Sequence, residues 1–274
     1  MKAAIRKKLK AILWRSAGIP GLTQNILRRA TVVVGFHRVV DGHRSSGLDC
    51  SPALFNDLCR FFRDHFRVIP LTTLVQDMNL GRLVGGELAI TFDDGYRDAL
   101  TQAAPILQHY GLPATFFLTT TFVGASKTPW WDAAQGVHHP FLTWDDVAEL
   151  HREGFEIGSH TRGHNDLTTL SEMQLWEEVA GSRDDISAHL GVPPDMFAYP
   201  YGGGHQINDA AIMVIQKAGF SCSCGLFGGI NLPGDDPFRL KRIPISNWYL
   251  SSAHFGGDVL VTVIRELYHR RKRS

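Results

Sequence analysis

The sequence predicts a single α/β domain, a parallel sheet covered by helices and closed, or nearly closed, into a barrel. An open doubly wound sheet is the alternative. Three observations carry this. Short apolar runs alternate with helical patterns along the whole chain. No linker, repeat or low-complexity tract divides it. Its 274 residues, 44% hydrophobic and 20% charged, suit one barrel and exclude a disordered chain.

The first strand is residues 31–36 (TVVVGF), almost wholly apolar, as a strand covered on both faces must be. Residues 52–66 follow as a helix with Leu54, Leu58, Phe61, Phe62 and Phe66 on one side. Residues 87–92 (ELAITF) form the second strand, and 97–110 a helix that Gly111 stops. Residues 114–120 (ATFFLTT) are the third strand. The stretch 121–140 carries Trp130, Trp131, His138 and His139 and reads as a loop long enough to be a lid or rim. Thr143 opens a helix that runs to Gly154, and residues 155–159 (FEIGS) return as a strand. Ser171 and Gln174 make a capping box for a helix ending before Gly191. Residues 196–200 (MFAYP) are a strand, Asn208 caps a helix that Gly219 ends, and FSCSCG and RLKRIPIS supply the last strands.

Twenty-eight Lys and Arg against 27 Asp and Glu leave a net charge of +1, which gives no field for nucleic acid. The charge is uneven. Residues 1–40 contain no acid but hold Lys2, Arg6, Lys7, Lys8, Lys10, Arg15, Arg28 and Arg29. Ile5, Leu9, Ile12 and Leu13 fall at helical spacing. Residues 1–30 therefore read as a basic amphipathic helix ahead of a barrel over 31–274. That helix either contacts an anionic membrane surface or packs on the domain. The run AILW is too short for a secretory signal, and no window spans a membrane, so the expected location is cytoplasmic, or peripheral to the inner membrane. Cys50, Cys59, Cys222 and Cys224 lack paired C-x-x-C spacing and read as packing residues.

The chemistry lies just after the strands. His37 follows the first strand, and Asp93 and Asp94 follow the second. His160 and His164 follow FEIGS, and Tyr201 follows MFAYP. In a parallel barrel these ends share one face, where active sites sit. Adjacent carboxylates repel unless a cation sits beside them, and Gly95 permits the turn that aims both at one place. Two imidazoles and a carboxylate suit zinc, cobalt or nickel and leave positions open for water, whose proton the second carboxylate can take. Each motif alone also has a bland reading, as a turn or a pair of surface histidines. Their convergence at strand ends is what favours a site.

TFDDGYRD (residues 91–98), GSHTRGH (158–164) and YPYG (199–202) resemble the first three motifs of the polysaccharide deacetylases, the NodB-homology domains of carbohydrate esterase family 4. The resemblance implies a distorted (β/α)7 barrel that removes N-acetyl groups from an acetylated glycan with a divalent metal, zinc first among the candidates. It implies Asp93 as general base and Asp94, His160 and His164 as metal ligands. The Tyr201 backbone N–H would hold the oxyanion and its ring would line the sugar site. Trp131, beside Trp130 and Asp132, is a candidate wall for a sugar ring; packing of the loop onto the barrel is the alternative reading.

Two departures stand out. The arginine expected two residues before the Pro of the third motif is Ala198, so Arg242 or Arg38 must orient the base, or Asp93 is held differently. The usual C-terminal Leu-x-His is absent, and GFHRVV is similar to the N-terminal segment of permuted members, which implies His37 as general acid. A non-catalytic carbohydrate-binding barrel and a hydrolase of a small non-sugar amide are the competing readings.

Overall fold

Strand β1 (Val32–Phe36) and strand β5 (Glu87–Phe92) are buried at every residue, as expected of parallel strands with helices on one side and a barrel interior on the other. In this computed structural model, which describes residues 26–27, 31–41 and 47–271, they pair in register from Val32 opposite Leu88 to Phe36 opposite Phe92. Between them in sequence lie the short pair β2 (Arg38–Val39) and β3 (Asp49–Cys50), helix α1 (Pro52–His65), β4 (Arg67–Val68) and helix α2 (Leu71–Asn79). Ser51 caps α1 through Leu54 N.

After β5 a π turn (Ala99–Ala103) leads into α3 (Ala104–Tyr110), which ends at Gly111 with φ 65°. Strand β6 (Thr115–Leu118), the short helix α4 (Trp130–Ala133), α5 (Trp144–Arg152) and β7 (Glu156–Ser159) follow. Thr143 and Asp146 form a complete capping box on α5, and Ser171 and Gln174 do so on α6 (Glu172–Leu190). Strand β8 (Met196–Ala198), α7 (Asp209–Lys217), β9 (Cys222–Cys224), β10 (Ile243–Pro244) and α8 (Ser252–Arg271) complete the order.

The main sheet runs β10-β1-β5-β6-β7-β8-β9, all parallel, with β4 flanking the start of β5. One segment joins its two ends. Ile243 pairs with Val34 of β1, while Leu240, three residues earlier, bridges in parallel to Cys224 of β9. The sheet is thereby curled into a small, distorted α/β barrel of one domain.

Period-two alternation sorts the side chains. Val34, Phe36, Ile90, Phe92, Phe116 and Ile157 point outward and pack under the helices with Phe55, Leu58, Leu107 and Leu150. Phe92 stacks between Phe36 and Phe116 at centroid distances of 5.2 and 4.9 Å, contacts worth about 0.5–1.5 kcal/mol each beyond area burial. Val33, Ala89, Phe117, Met196, Ala198, Cys222, Cys224 and Leu240 point inward. Helix α2 plugs the end where the strands begin: Leu71, Leu74, Val75 and Met78 join the inner cluster, and Glu156 at the start of β7 accepts from Leu71 N at 2.9 Å.

The interior is narrow. A Cβ on Gly158 would lie 2.4 Å from the Phe117 ring, and one on Gly35 would lie 2.5 Å from Leu226. Both positions need glycine for close approach. All four cysteines are free and buried, as expected of packing residues. The expected basic helix over residues 1–30 lies outside the described residues, apart from 26–27. The C-terminal helix, which runs from Ser252 to Arg271, was not expected. No described helix is long and apolar enough to cross a membrane.

Candidate active site

Continued past the inner cluster, the same alternation builds the site. Val33, Gly35 and His37 form one inward column, and Ala89, Thr91 and Asp93 a second. The two columns are in register, and Asp93 N donates to Phe36 O at 2.9 Å. Gly158 and His160 make a third column, and Leu240 and Arg242 a fourth. Asp94 is out of phase and would point away. A left-handed backbone (φ 73°) turns it back.

Among the described residues, the non-glycine positions with positive φ are Asp94, Thr161, His164 and Tyr201, at 73°, 67°, 58° and 62°. All four fall in the three motifs. Such conformations cost of order 1 kcal/mol or more each and persist where the surroundings fix them, commonly at functional sites.

Asp94, His160 and His164 each offer one ligand atom, all within 4.8 Å of one another. Asp94 Oδ1 lies 3.4 Å from His160 Nε2 and 3.3 Å from His164 Nε2, is buried, and has no hydrogen-bond partner. His160 Nδ1 is paired with Ala198 O at 2.8 Å, which fixes the ring with Nε2 toward the carboxylate. An orphaned carboxylate oxygen facing two imidazole nitrogens is the donor set of a divalent cation, so these residues fit a metal. Burial alone would raise the Asp94 pKa; the two facing imidazoles outweigh it and hold it well below the usual carboxylate range. For His160, burial is outweighed by Asp93 and Asp94, and its pKa rises.

Asp93 is gripped by Arg242. The guanidinium donates Nη1 to Oδ1 at 2.6 Å and Nη2 to Oδ2 at 2.8 Å, a bidentate pair with both side chains buried. Arg242 also donates to Thr91 Oγ1 at 3.1 Å and, through Nε, to Gly225 O at 2.8 Å. Burial would raise the Asp93 pKa, but Arg242 and then His160 reverse this and keep it low. Of the two cations named as substitutes for the arginine missing at Ala198, Arg242 is therefore the one that meets Asp93. Arg38 faces the other way and pairs with Asp49 and Asp132 at 2.7 and 2.6 Å.

His37 lines the same cleft, with Nδ1 buried and unbonded. Burial lowers its pKa, and Asp94 and Asp93 only partly restore it. The cleft has a volume of about 400 Å³, and its walls include Trp130, Trp131, Tyr201 and Leu226. The Trp131 and Tyr201 rings stand 4.6 and 4.9 Å from the His164 ring. Every expected site residue thus lines one cleft. His205, close to Tyr201 in sequence, does not line it. Thr91, which shares Arg242 with Asp93, was not anticipated; its signal was the inward parity of Ala89-x-Thr91-x-Asp93.

Fold and cluster together define a class. This is a parallel α/β barrel with its polar centre at the carboxyl ends of the strands, the arrangement of barrel enzymes. The particular family follows from comparison with known proteins: residues 82–223 match the polysaccharide deacetylase family, and the chain belongs to it. YxkH of Bacillus subtilis, a relative assigned to the polysaccharide deacetylases, is 28% identical over 170 residues, 62% of this chain. That match spans only 55% of the relative's length. The poly-β-1,6-N-acetyl-D-glucosamine N-deacetylase of Staphylococcus aureus strain MSSA476 is 25% identical over 208 residues, 72% of this chain and 68% of its own. Among solved structures, the Streptococcus pyogenes deacetylase PplD in complex with acetate superposes with a TM-score of 0.73 at 20% identity, over 85% of this chain and 98% of that one. IcaB from Ammonifex degensii gives 0.71 at 24% identity, over 84% and 97%. At those identities the structures establish the shared fold.

Proposed function

We propose that this chain is a divalent-metal-dependent N-deacetylase acting on an N-acetylhexosamine-containing polysaccharide or its oligosaccharide or lipid-linked precursor. The observation that carries the reading is the second carboxylate. Asp93 sits beside the Asp94–His160–His164 cluster, clamped at both oxygens by a buried arginine. A barrel that only bound sugar would need no base there. The altered third motif and the absent C-terminal Leu-x-His are what favour such a barrel; Arg242 answers the first by clamping Asp93.

In this reading Asp94 Oδ1, His160 Nε2 and His164 Nε2 hold the ion. A divalent ion there, zinc with cobalt or nickel as alternatives, would acidify a water and polarise the acetamide carbonyl. Asp93 takes the water's proton on its carboxylate, and Arg242 keeps that carboxylate ionised and aimed. His37 gives a proton to the departing amine; burial, which lowers its pKa, makes its protonated form a better donor. Trp131 and the Tyr201 ring form walls for the sugar, and the Tyr201 N–H is the proposed donor to the oxyanion. This role for His37 rests on the likeness of GFHRVV to the N-terminal segment of the permuted members.

The name of the Staphylococcus aureus relative supplies the first substrate to try, a β-1,6-linked N-acetylglucosamine oligomer. Acetate release from that oligomer is expected, lost on chelation and restored by zinc or cobalt. Release that survives exhaustive chelation contradicts the metal reading. Cleavage of a small cyclic imide with no release from any acetylated hexosamine oligomer contradicts the substrate reading.

A further inference from the structure

Behind the cleft wall runs a buried chain of polar groups that the reaction itself does not use. The Trp131 indole Nε1 donates to Tyr96 OH at 2.8 Å, and Tyr96 OH donates to Asp132 Oδ2 at 2.9 Å. Asp132 Oδ1 accepts from Arg38 Nη1 at 2.6 Å, and Arg38 Nε donates to Asp49 at 2.7 Å. Tyr96, Asp132 and Arg38 have no accessible surface. The Arg38 guanidinium also lies 5.1 Å from the centre of the Tyr96 ring.

The donor directions admit one arrangement. An indole N–H only donates, a carboxylate only accepts and a guanidinium only donates. The tyrosine hydroxyl must therefore accept from Trp131 and give its proton to Asp132. The chain connects two parts of the cleft that are far apart in sequence: Arg38 follows His37, and Asp132 follows Trp131. The Trp131 ring also packs on the buried Tyr96, Phe122 and Phe141 side chains, whereas its neighbour Trp130 is 66% exposed. The buried hydroxyl and carboxylate thus fix the direction of the indole N–H, and with it the orientation of the ring that stands 4.6 Å from His164.

We propose that Tyr96, Asp132 and Arg38 are positioning residues that lock the Trp131 indole as a rigid wall selecting a saccharide ring over smaller acetylated compounds. This deepens the reading above and rests on it. A fixed aromatic face complements the apolar C–H face of a pyranose, and holding it in place before binding spares the entropy of ordering it later. The chain touches no reacting atom, so its effect falls on substrate affinity.

The test is Tyr96→Phe, which removes one buried oxygen, assayed on the β-1,6-linked N-acetylglucosamine oligomer and on 4-nitrophenyl acetate, which has no sugar. The expected result is a KM for the oligomer raised about tenfold, the size of one lost hydrogen bond, with kcat within about twofold. On the small ester kcat/KM changes by less than about twofold, because that substrate has no ring to place. Equal losses on both substrates indicate a merely structural role and overturn the inference. So does no change on either. If Tyr96→Phe fails to fold, Arg38→Lys, which keeps the charge but cannot bridge Asp49 and Asp132 at once, is expected to show the same split. Wild-type protein that cleaves the ester but no acetylated oligomer refutes the substrate reading, and the inference with it. A wild type active on the oligomer beside a variant without the split refutes the inference alone.

Discussion

Replacing Asp93 with asparagine is expected to lower acetate release from an acetylated hexosamine oligomer by about 10²–10⁴-fold, the usual contribution of a positioned general base. The amide keeps the shape of the carboxylate but takes no proton at neutral pH. It also presents an NH2 where Arg242 now finds a second acceptor, so one arm of the bidentate pair is lost. Metal content should stay at the wild-type level, since Asp93 is not among the clustered ligand atoms. Single-turnover rates with metal analysis check this, and a variant that retains full turnover removes Asp93 from the mechanism. His37→Ala tests the other proton. Its loss should be large on the amide, whose amine must be protonated to leave. It should be slight on 4-nitrophenyl acetate, whose phenolate leaves without a proton. Equal losses on both would assign His37 to something other than general-acid catalysis.

Arg242→Met is expected to damage stability and chemistry together. It strands a buried carboxylate, and breaking a buried ion pair from one side typically costs about 3–5 kcal/mol. The direction with pH follows from Asp93. Its folded pKa lies below the ordinary value because Arg242 outweighs burial. The pair therefore contributes stability that is present above the unfolded carboxylate pKa and lost as pH falls through the folded one. Without Arg242 the burial penalty is opposed only by the weaker pull of His160 and His37, and the pKa rises. The acid limb of the pH–rate profile should move to higher pH, and wild type and variant should approach one another in stability at low pH. Arg242→Lys keeps the charge but cannot make the forked contact, and should fall between the two. Thermal melts and pH–rate profiles of the three proteins check this. An unmoved acid limb in Arg242→Met contradicts the assignment.

The choice between Arg242 and Arg38 shows how far the sequence could be read. Strand parity contains the answer: Leu240 and Arg242 continue the inward column, whereas Arg38 is one residue past the inward His37 and so faces outward. What alternation alone did not supply was which strands adjoin. The contact of Arg242 with Asp93 requires β10 to sit beside β1, and β1 beside β5, across about 150 residues of chain. The strand Glu87–Phe92 and the helix Glu172–Leu190 were legible to the residue, because turn and capping signals bracket them. Helix α2 was not. Its Thr72, Thr73 and Val75 are weak helix formers and Pro70 offers no side-chain cap; burial of Leu71, Leu74 and Met78 in the barrel's end overrides propensity. Helix α8 was hidden in the same way by Gly256 and Gly257, while Phe255, Val259 and Val263 bury one face against α1. The Tyr96–Asp132–Arg38 chain left no sequence signal, because its members meet only in three dimensions.

The central claim is that Asp94, His160 and His164 hold one divalent ion beside a base. Anomalous diffraction at the zinc or cobalt edge, from crystals grown with that metal, tests it most directly. The expected map has a single strong peak bonded to Asp94 Oδ1 and to Nε2 of both histidines at about 2.0–2.2 Å, with Asp93 nearby but uncoordinated. A map with no peak between those three atoms, or with its ion held by other residues, contradicts the account.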